Sequence, residues 1–353
     1  VHLLKRFQEI SDIVEEKQRL SDDAKLLLGA YFSCEYSLES AALFNPSIVW
    51  HPDQSGLPEG SRRFIMSLRA TGEGHISSLV FRTGTIDSNY KISMDEITRF
   101  VTAPEIVPGS MTKSDYQIQF SENSKISERA IFPMAPDESN GIEDARLVEF
   151  TDEYGGRTYC ATYTAYDGKT IRPKLAETTD FSTFKIRTLH GSEVKNKGFA
   201  LFPRTIGGQY AMLSRQDGEN NYIMFSDRLD TWNSKQMIME PKFPWEFVQL
   251  GNCGSPLETD RGWLVLSHGV GPMRRYCISA FLLDLKNPTK VIGRLKEPLI
   301  CPNEDEREGY VPNVVYSCGG MIHNQKLILP YAMSDYASSV ALVDLNDIMN
   351  EMV

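Results

Sequence analysis

The chain has 353 residues and a mass of 39.9 kDa, with 41% hydrophobic, 10% aromatic and 24% charged side chains. That composition belongs to a folded globular protein and is too rich in aromatics for a disordered one. Thirty-seven basic residues against 47 acidic ones leave a net charge of −10, which argues against a nucleic-acid binder, whose affinity needs a phosphate-neutralising face. No apolar run approaches the about 20 residues of a membrane span, so no membrane partner is expected. The length suits two ordinary domains or one large closed architecture.

Val1-His2-Leu3-Leu4-Lys5-Arg6 carries neither an apolar signal core nor a cleavage site. The six cysteines (Cys34, Cys160, Cys253, Cys277, Cys301 and Cys318) are widely spread, with no CxxC and no Cys/His clustering. They read as reduced thiols of a cytoplasmic protein, with no zinc site. Phe7, Ile10, Ile13 and Val14 then recur at helical spacing, and Ser21-Asp22-Asp23-Ala24 is an N-cap with acids in the first turn. Two helices are predicted in an extension over residues 1–43. It either packs on the outside of the main body of the chain or mediates self-association, which leaves a homo-oligomer open.

From Asn45 onward the pattern is strand-like. Five segments, starting at Arg63, Thr158, Gln209, Gly262 and Lys326, share one form. Each opens on an apolar strand, passes through a polar segment containing Gly or Asp, and resumes as an alternating strand ending near an Asp. An all-β, five-bladed β-propeller over residues 44–353 accounts for five such units most economically. A β-sandwich also contains strand–turn–strand units, but it does not require polar residues at the same phase five times. Helical periods do not alternate with the strands, which disfavours a doubly wound sheet.

Chemistry is therefore sought in the polar segments, which a propeller gathers at one end of its central channel. Asp167-Gly168-Lys169-Thr170 imitates the end of a phosphate-binding loop, but Tyr163 stands where the upstream glycine is needed. No HExxH, EF-hand series or GxSxG elbow occurs, so no metal site is expected. In Asn140-Gly141-Ile142-Glu143-Asp144-Ala145-Arg146, two adjacent carboxyls offer a general acid, since a like-charged neighbour raises a carboxyl pKa. Arg146 can hold one of them ionised, and a solvated turn with a salt bridge fits the same residues. Lys197, Arg215, His268, Arg274 and Arg275 come from different blades. Singly they read as surface residues or halves of ion pairs; converging, they would bind a phosphate.

On these residues the chain resembles glycoside hydrolase family 130, the inverting β-mannoside phosphorylases and related β-mannosidases on a five-bladed propeller. The marks are Asn45-Pro46, Arg69, Gly141-Ile142-Glu143-Asp144-Ala145-Arg146, Leu201-Phe202-Pro203, the run Gly262–Val270, Val311-Pro312-Asn313-Val314-Val315, and Tyr331 with Asp335. The resemblance runs from Phe44 to about Asp335 and leaves the N-terminal helices outside.

It implies that Asp144 is the sole catalytic acid, passing its proton to the glycosidic oxygen through a hydroxyl of the bound mannose. Asn45, Arg69, His75 and Asp335, with Arg146 beside the acid, would hold the sugar. Lys197, Arg215, His268, Arg274 and Arg275 would hold inorganic phosphate, the co-substrate of a reaction without cofactor. The implied reaction is a glycosyltransferase-type phosphorolysis of β-mannosides, β-1,2-linked by expectation, giving α-mannose 1-phosphate. Two positions depart from the family pattern: Ala145 replaces a proline, and Glu258 stands where many phosphorylases carry lysine. An inverting β-mannosidase using Glu258 or Glu219 as base for water is the alternative, and a non-catalytic carbohydrate-binding propeller is a third.

Overall fold

The computed structural model of the protein describes residues 2–14 and 19–353. Each of the five predicted strand–turn–strand units is an antiparallel hairpin. The hairpins pair Arg62–Thr71 with Ser77–Ile86, Arg157–Tyr166 with Ile171–Thr178, and Tyr210–Ser214 with Asn221–Ser226. The last two pair Gly262–Val270 with Tyr276–Leu283 and Lys326–Met333 with Ala337–Asp344. They form the middle of five separate sheets, the blades of a five-bladed propeller. The inner strands are Ala42–Trp50, Ile142–Thr151, Ala200–Leu201, Gln249–Asn252 and Val315–Tyr316.

The ring closes because each blade is apolar on both faces and must be covered twice. An apolar cluster accordingly fills each junction. Ile65 and Phe81 meet Tyr116 and Phe184 between blades one and two, and Leu175 meets Met212 and Trp232 between two and three. Phe202 lies 5.2 Å from Trp263 between three and four. Leu266 and Ile278 meet Leu327 and Leu329 between four and five, and Phe64 and Met66 meet Met321 and Ile328 where five returns to one. Each such side chain contributes about 1.5–3 kcal/mol on burial. The Cys318 amide donates to the Pro46 carbonyl at 2.8 Å and Ser338 Oγ to the Leu43 carbonyl at 3.1 Å, closing the circle.

The second blade is widened by Glu105–Ile106 and Tyr116–Gln119, which precede its inner strand and extend its outer edge. Beneath it lies a buried ionic cluster. Lys174 Nζ donates to Asp137 at 2.8 Å, to Glu138 at 2.9 Å and to the Ser114 carbonyl at 2.9 Å. Glu138 also accepts the Tyr116 and Tyr163 hydroxyls at 2.8 and 2.9 Å and the Met134 and Ala135 amides at 2.9 and 3.0 Å. Its carbonyl takes the Gly141 amide at 2.7 Å, anchoring the turn that leads into Glu143-Asp144.

The N-terminal helices span His2–Ile10 and Asp22–Tyr31. Ser21 caps the second through the Ala24 amide at 3.2 Å, and Arg6 donates to the Phe32 carbonyl at 2.7 Å. Phe7 and Ile10 are buried, but Ile13, expected on the same stripe, is 71% exposed. The α-helix ends at Ile10, and the tighter 3-10 turn Ser11–Ile13 rotates that residue away.

Candidate active site

Two matching bulges aim the central side chains. Pairing in blade one jumps from Phe44–Arg69 to Ser47–Ser67, and in blade two from Glu143–Thr164 to Arg146–Thr162. Each inner strand thus carries one extra residue, which kinks it and redirects a side chain. The redirected residues are Asn45 and Asp144, with φ of 51° and 55°. Asn and Asp tolerate this left-handed region better than other residues with a Cβ, and Pro46 has no N–H for the broken ladder to strand. Asn45 Nδ2 donates to Asp144 Oδ1 at 2.7 Å. Asp335, at φ 50° in the fifth blade's hairpin turn, shares this electrostatic environment.

Arg69 is fixed by Ser77 Oγ and Glu143 Oε1, both at 2.8 Å, and stands 3.7 Å from Asp144 Oδ1. Lys197 Nζ lies 3.7 Å from Glu143 Oε2. Burial by itself would raise the Asp144 carboxyl, but Arg69, Lys197, the Asn45 amide and Arg146 outweigh it and hold the group below the ordinary carboxylate value. The expectation that Glu143 would raise this pKa is therefore corrected: Arg69 and Lys197 take up the Glu143 charge and act on Asp144 as well. Asp335 moves the other way, to about 6, driven by burial and then by the Asp144 charge, with Arg69, Arg274 and Lys197 partly offsetting. Neighbouring carboxyls driven apart in this way suit different roles.

The cationic wall faces them from blades three and four. Arg215 and His268 are 6% and 0% exposed, with Arg215 Nη1 3.3 Å from His268 Nε2. They meet because Gly251 lies between them: a Cβ there would come within 2.6 Å of the imidazole and 3.1 Å of Arg215 Cδ. A guanidinium only donates, so Nε2 accepts and Nδ1 carries the imidazole proton. Burial, then the Arg215, Arg146 and Lys197 charges, push His268 well below its usual pKa, so the ring is neutral. Arg215 Nε, His268 Nδ1 and both amide atoms of buried Asn252 have no hydrogen-bond partner within the protein. Buried polar groups are normally paired, so the free donors of Arg215, His268 and Asn252 are available to an accepting group.

Arg146 has a different position from the one expected. It is 3% exposed, and its nitrogens are committed to the Cys253 carbonyl at 2.6 Å, the Phe199 carbonyl at 3.4 Å and the Tyr316 hydroxyl at 2.9 Å. It ties its own inner strand to that of Tyr316 and to the residues flanking two more, and reaches the acid through its field. Burial raises the Tyr316 phenol, with the Arg146 and Arg215 charges opposing and the Asp144 charge adding to it, so all three charges act on this one group.

Asn45, Arg69, Asp144, Lys197, Arg215, His268 and Asp335 thus face one mouth of the channel. Arg274 joins them at the edge, exposed, with its guanidinium 5.7 Å from the Tyr276 ring and its charge acting on Asp335. His75 is exposed on the rim and stacks 5.9 Å from Tyr310. Arg275 departs from the set: it turns to the Pro302 carbonyl at 3.5 Å, beside Cys277 and Cys301. Glu258 is also misplaced for a base. It forms a fork with Arg204 at 2.6 and 2.9 Å and lines the opposite mouth with Trp50 and Met321. Trp50 is five residues along its strand from Asn45, about 17 Å. Glu219 is at the right end but exposed, in a turn whose backbone takes the Leu250 amide at 3.0 Å. Among the described residues no three His, Cys, Asp or Glu side chains group to hold a metal ion.

Sequence reasoning missed the clamp of Glu143 on Arg69 and Lys197, and it missed Asn252 and Tyr316. The last two sit on inner strands, whereas polar hairpin turns were the signal used. Val314-Val315-Tyr316, an apolar run ending in a phenol, was the only hint.

The family model described as beta-1,4-mannooligosaccharide phosphorylase matches residues 29–353. A 1,2-beta-oligomannan phosphorylase of a Thermoanaerobacter species is 34% identical over 216 residues, 60% of this chain and 71% of that protein. A beta-1,2-mannobiose phosphorylase from the same organism is 34% identical over 214 residues, 59% of this chain and 68% of its own length. Among solved structures, the Listeria innocua beta-1,2-mannobiose phosphorylase in complex with beta-1,2-mannobiose superposes with a TM-score of 0.61. It is 20% identical, covering 88% of this chain and 92% of that one, and shares the fold.

Proposed function

The chain belongs to glycoside hydrolase family 130, and from that premise we propose that it is an inverting phosphorylase of β-mannosides, acting on β-1,2-linked mannose and releasing α-mannose 1-phosphate. One observation carries the reading. Arg215 and His268 keep buried donors unmatched, and the Lys197 charge acts on both His268 and Asp144, which supports an anion beside the acid rather than a second carboxylate acting as base.

In the proposed reaction Asn45, Arg69 and Asp335 hold the mannose ring whose bond breaks. Phosphate rests on Arg215, His268 Nδ1–H and Lys197, with Arg274 at the edge. A phosphate oxygen bonds to the anomeric carbon from the face opposite the leaving group, and the carbon–oxygen glycosidic bond breaks. The leaving oxygen takes a proton from a mannose hydroxyl, which Asp144 replenishes. Phosphate is already nucleophilic, so the protein supplies position and charge rather than a base. Asp144 is held ionised by the surrounding cations. A bound dianion offsets Lys197 and Arg146, lifting the carboxyl toward protonation once both substrates are present.

Glu258 at the opposite mouth, committed to Arg204, speaks against Glu258 as the base of the hydrolytic alternative, which leaves exposed Glu219 as its candidate. The test is a panel of β-mannobioses incubated with and without inorganic phosphate, with products read by phosphorus NMR. Phosphate-dependent cleavage with an α-configured sugar phosphate is expected, the β-1,2 isomer fastest. Release of free mannose at a rate independent of phosphate overturns the reading.

A further inference from the structure

The six cysteines look scattered in sequence, yet two of them are neighbours. Ile278 and Ile300 exchange both backbone hydrogen bonds, at 2.8 and 3.1 Å, as an antiparallel bridge. One step along each strand, Cys277 therefore stands opposite Cys301 in the non-hydrogen-bonded position. There Cα atoms approach to about 4.5 Å and side chains share a face. That separation falls inside the range of about 4.4–6.8 Å that a disulfide spans.

The two thiols already interact, Cys277 hydrogen-bonding to Cys301. This hydrogen bond, helped by Arg275 and opposed by burial, draws Cys301 below the ordinary thiol value, whereas Cys277 is raised. Cys301 is half-buried and reachable, while Cys277 is 1% exposed. An accessible low-pKa thiol beside a second, resolving thiol is the arrangement of an oxidisable pair. Cys160, Cys253 and Cys318 are buried, with thiols raised by burial, and Cys34 is exposed on the N-terminal segment. The pair lies at the roots of two rim segments. The Arg274-Arg275 turn leads into Cys277. The stretch after Cys301 carries Glu306, which accepts the Tyr331 hydroxyl at 2.9 Å, and Tyr310, stacked on His75.

We propose that Cys277 and Cys301 close into a reversible intrachain disulfide under a peroxide oxidant, tethering these two rim segments to each other. The Cys301 thiolate attacks one peroxide oxygen, the O–O bond breaks, and the leaving hydroxide is protonated to water, giving a sulfenic acid. The Cys277 sulfur then attacks the Cys301 sulfur, the S–O bond breaks, and water leaves with the Cys277 proton. Two thiols lose two electrons in total, and one hydrogen peroxide becomes two waters.

The experiment oxidises the folded full-length chain, carrying Cys34→Ser to prevent intermolecular links, with hydrogen peroxide. Free thiols are then alkylated and the peptides read by mass spectrometry. The expected result is one cross-linked peptide joining Cys277 to Cys301, two thiols lost, and both recovered with dithiothreitol. Hydrogen exchange over residues 302–313 should slow several-fold in the oxidised form. In Cys277→Ser the cross-link should vanish and dimedone should label Cys301. Dimedone labelling or over-oxidation of Cys301 in the parent without a cross-link overturns the proposal, as does a link between other cysteines. Unchanged exchange over residues 302–313 overturns the tether.

Discussion

The second blade contributes to two charged clusters, and they behave in opposite ways. In the Lys174 cluster the ammonium commits all three donors, and both Glu138 oxygens receive hydroxyls, amides or that ammonium. In the cluster around Asp144, Arg215 Nε, His268 Nδ1 and Asn45 Oδ1 face no partner. Both are buried and mix signs, so charge and burial alone do not separate scaffold from site. The difference lies in the donors: Lys174 has every one of its donors matched and helps rigidify the turn leading to the acid, with Asp137 Oδ2 the unmatched oxygen, whereas Arg215 and His268 keep buried donors that only something else can complete.

Substitutions can break this contrast. The largest expected effect is on turnover: Asp144→Asn should reduce phosphorolysis by about 10²–10⁴-fold with the melting temperature nearly unchanged. A collapsed melt would make Asp144 scaffold instead. Lys174→Met should do the reverse, leaving Asp137 and Glu138 uncompensated and lowering stability in urea titration by about 3–5 kcal/mol, while turnover per folded molecule stays near parental. Arg215→Ala should raise the KM for phosphate by about 10–100-fold, the worth of a hydrogen bond to a charged group, with the mannoside KM far less affected. Equal loss in both constants would place Arg215 with the sugar.

The smallest effect is on pH dependence. Asp335 titrates at about 6 in the folded chain against 3.8 ordinarily, so between those values the native state binds more protons than the unfolded one. Its share of stability is accordingly present at low pH and falls as pH rises through that window. Asp335→Asn removes this slope, so the variant's melting temperature relative to the parent should be higher at pH 7 than at pH 4. A difference that does not move with pH would show that Asp335 is not held protonated.

Much of the fold was legible because it is local. Alternation along Arg62–Thr71 or Gly262–Val270 marks a strand wherever it packs, and five copies with one phase imply a ring. The polar hairpin turns likewise pointed to Arg69, Arg215 and Asp335. Glu258 and Arg275 were misjudged because sequence does not say which end of a channel, or which side of a strand, a charge will occupy. The closeness of Cys277 and Cys301 was not legible, because they become neighbours only when the strands pair, although all six cysteines are free thiols as expected.

What the sequence determined by itself is the set of two-faced apolar strands and the polar residues that break them. Tertiary structure alone decided which of those residues meet. Arg146 reaches Tyr316 across 170 residues, and Asn45 reaches Asp144 across 99. The bulges that turn Asn45 and Asp144 inward rest on left-handed backbone costing about 1–3 kcal/mol each. Such strain persists only where a closed ring supports it from both sides, and local periodicity carries no record of that support.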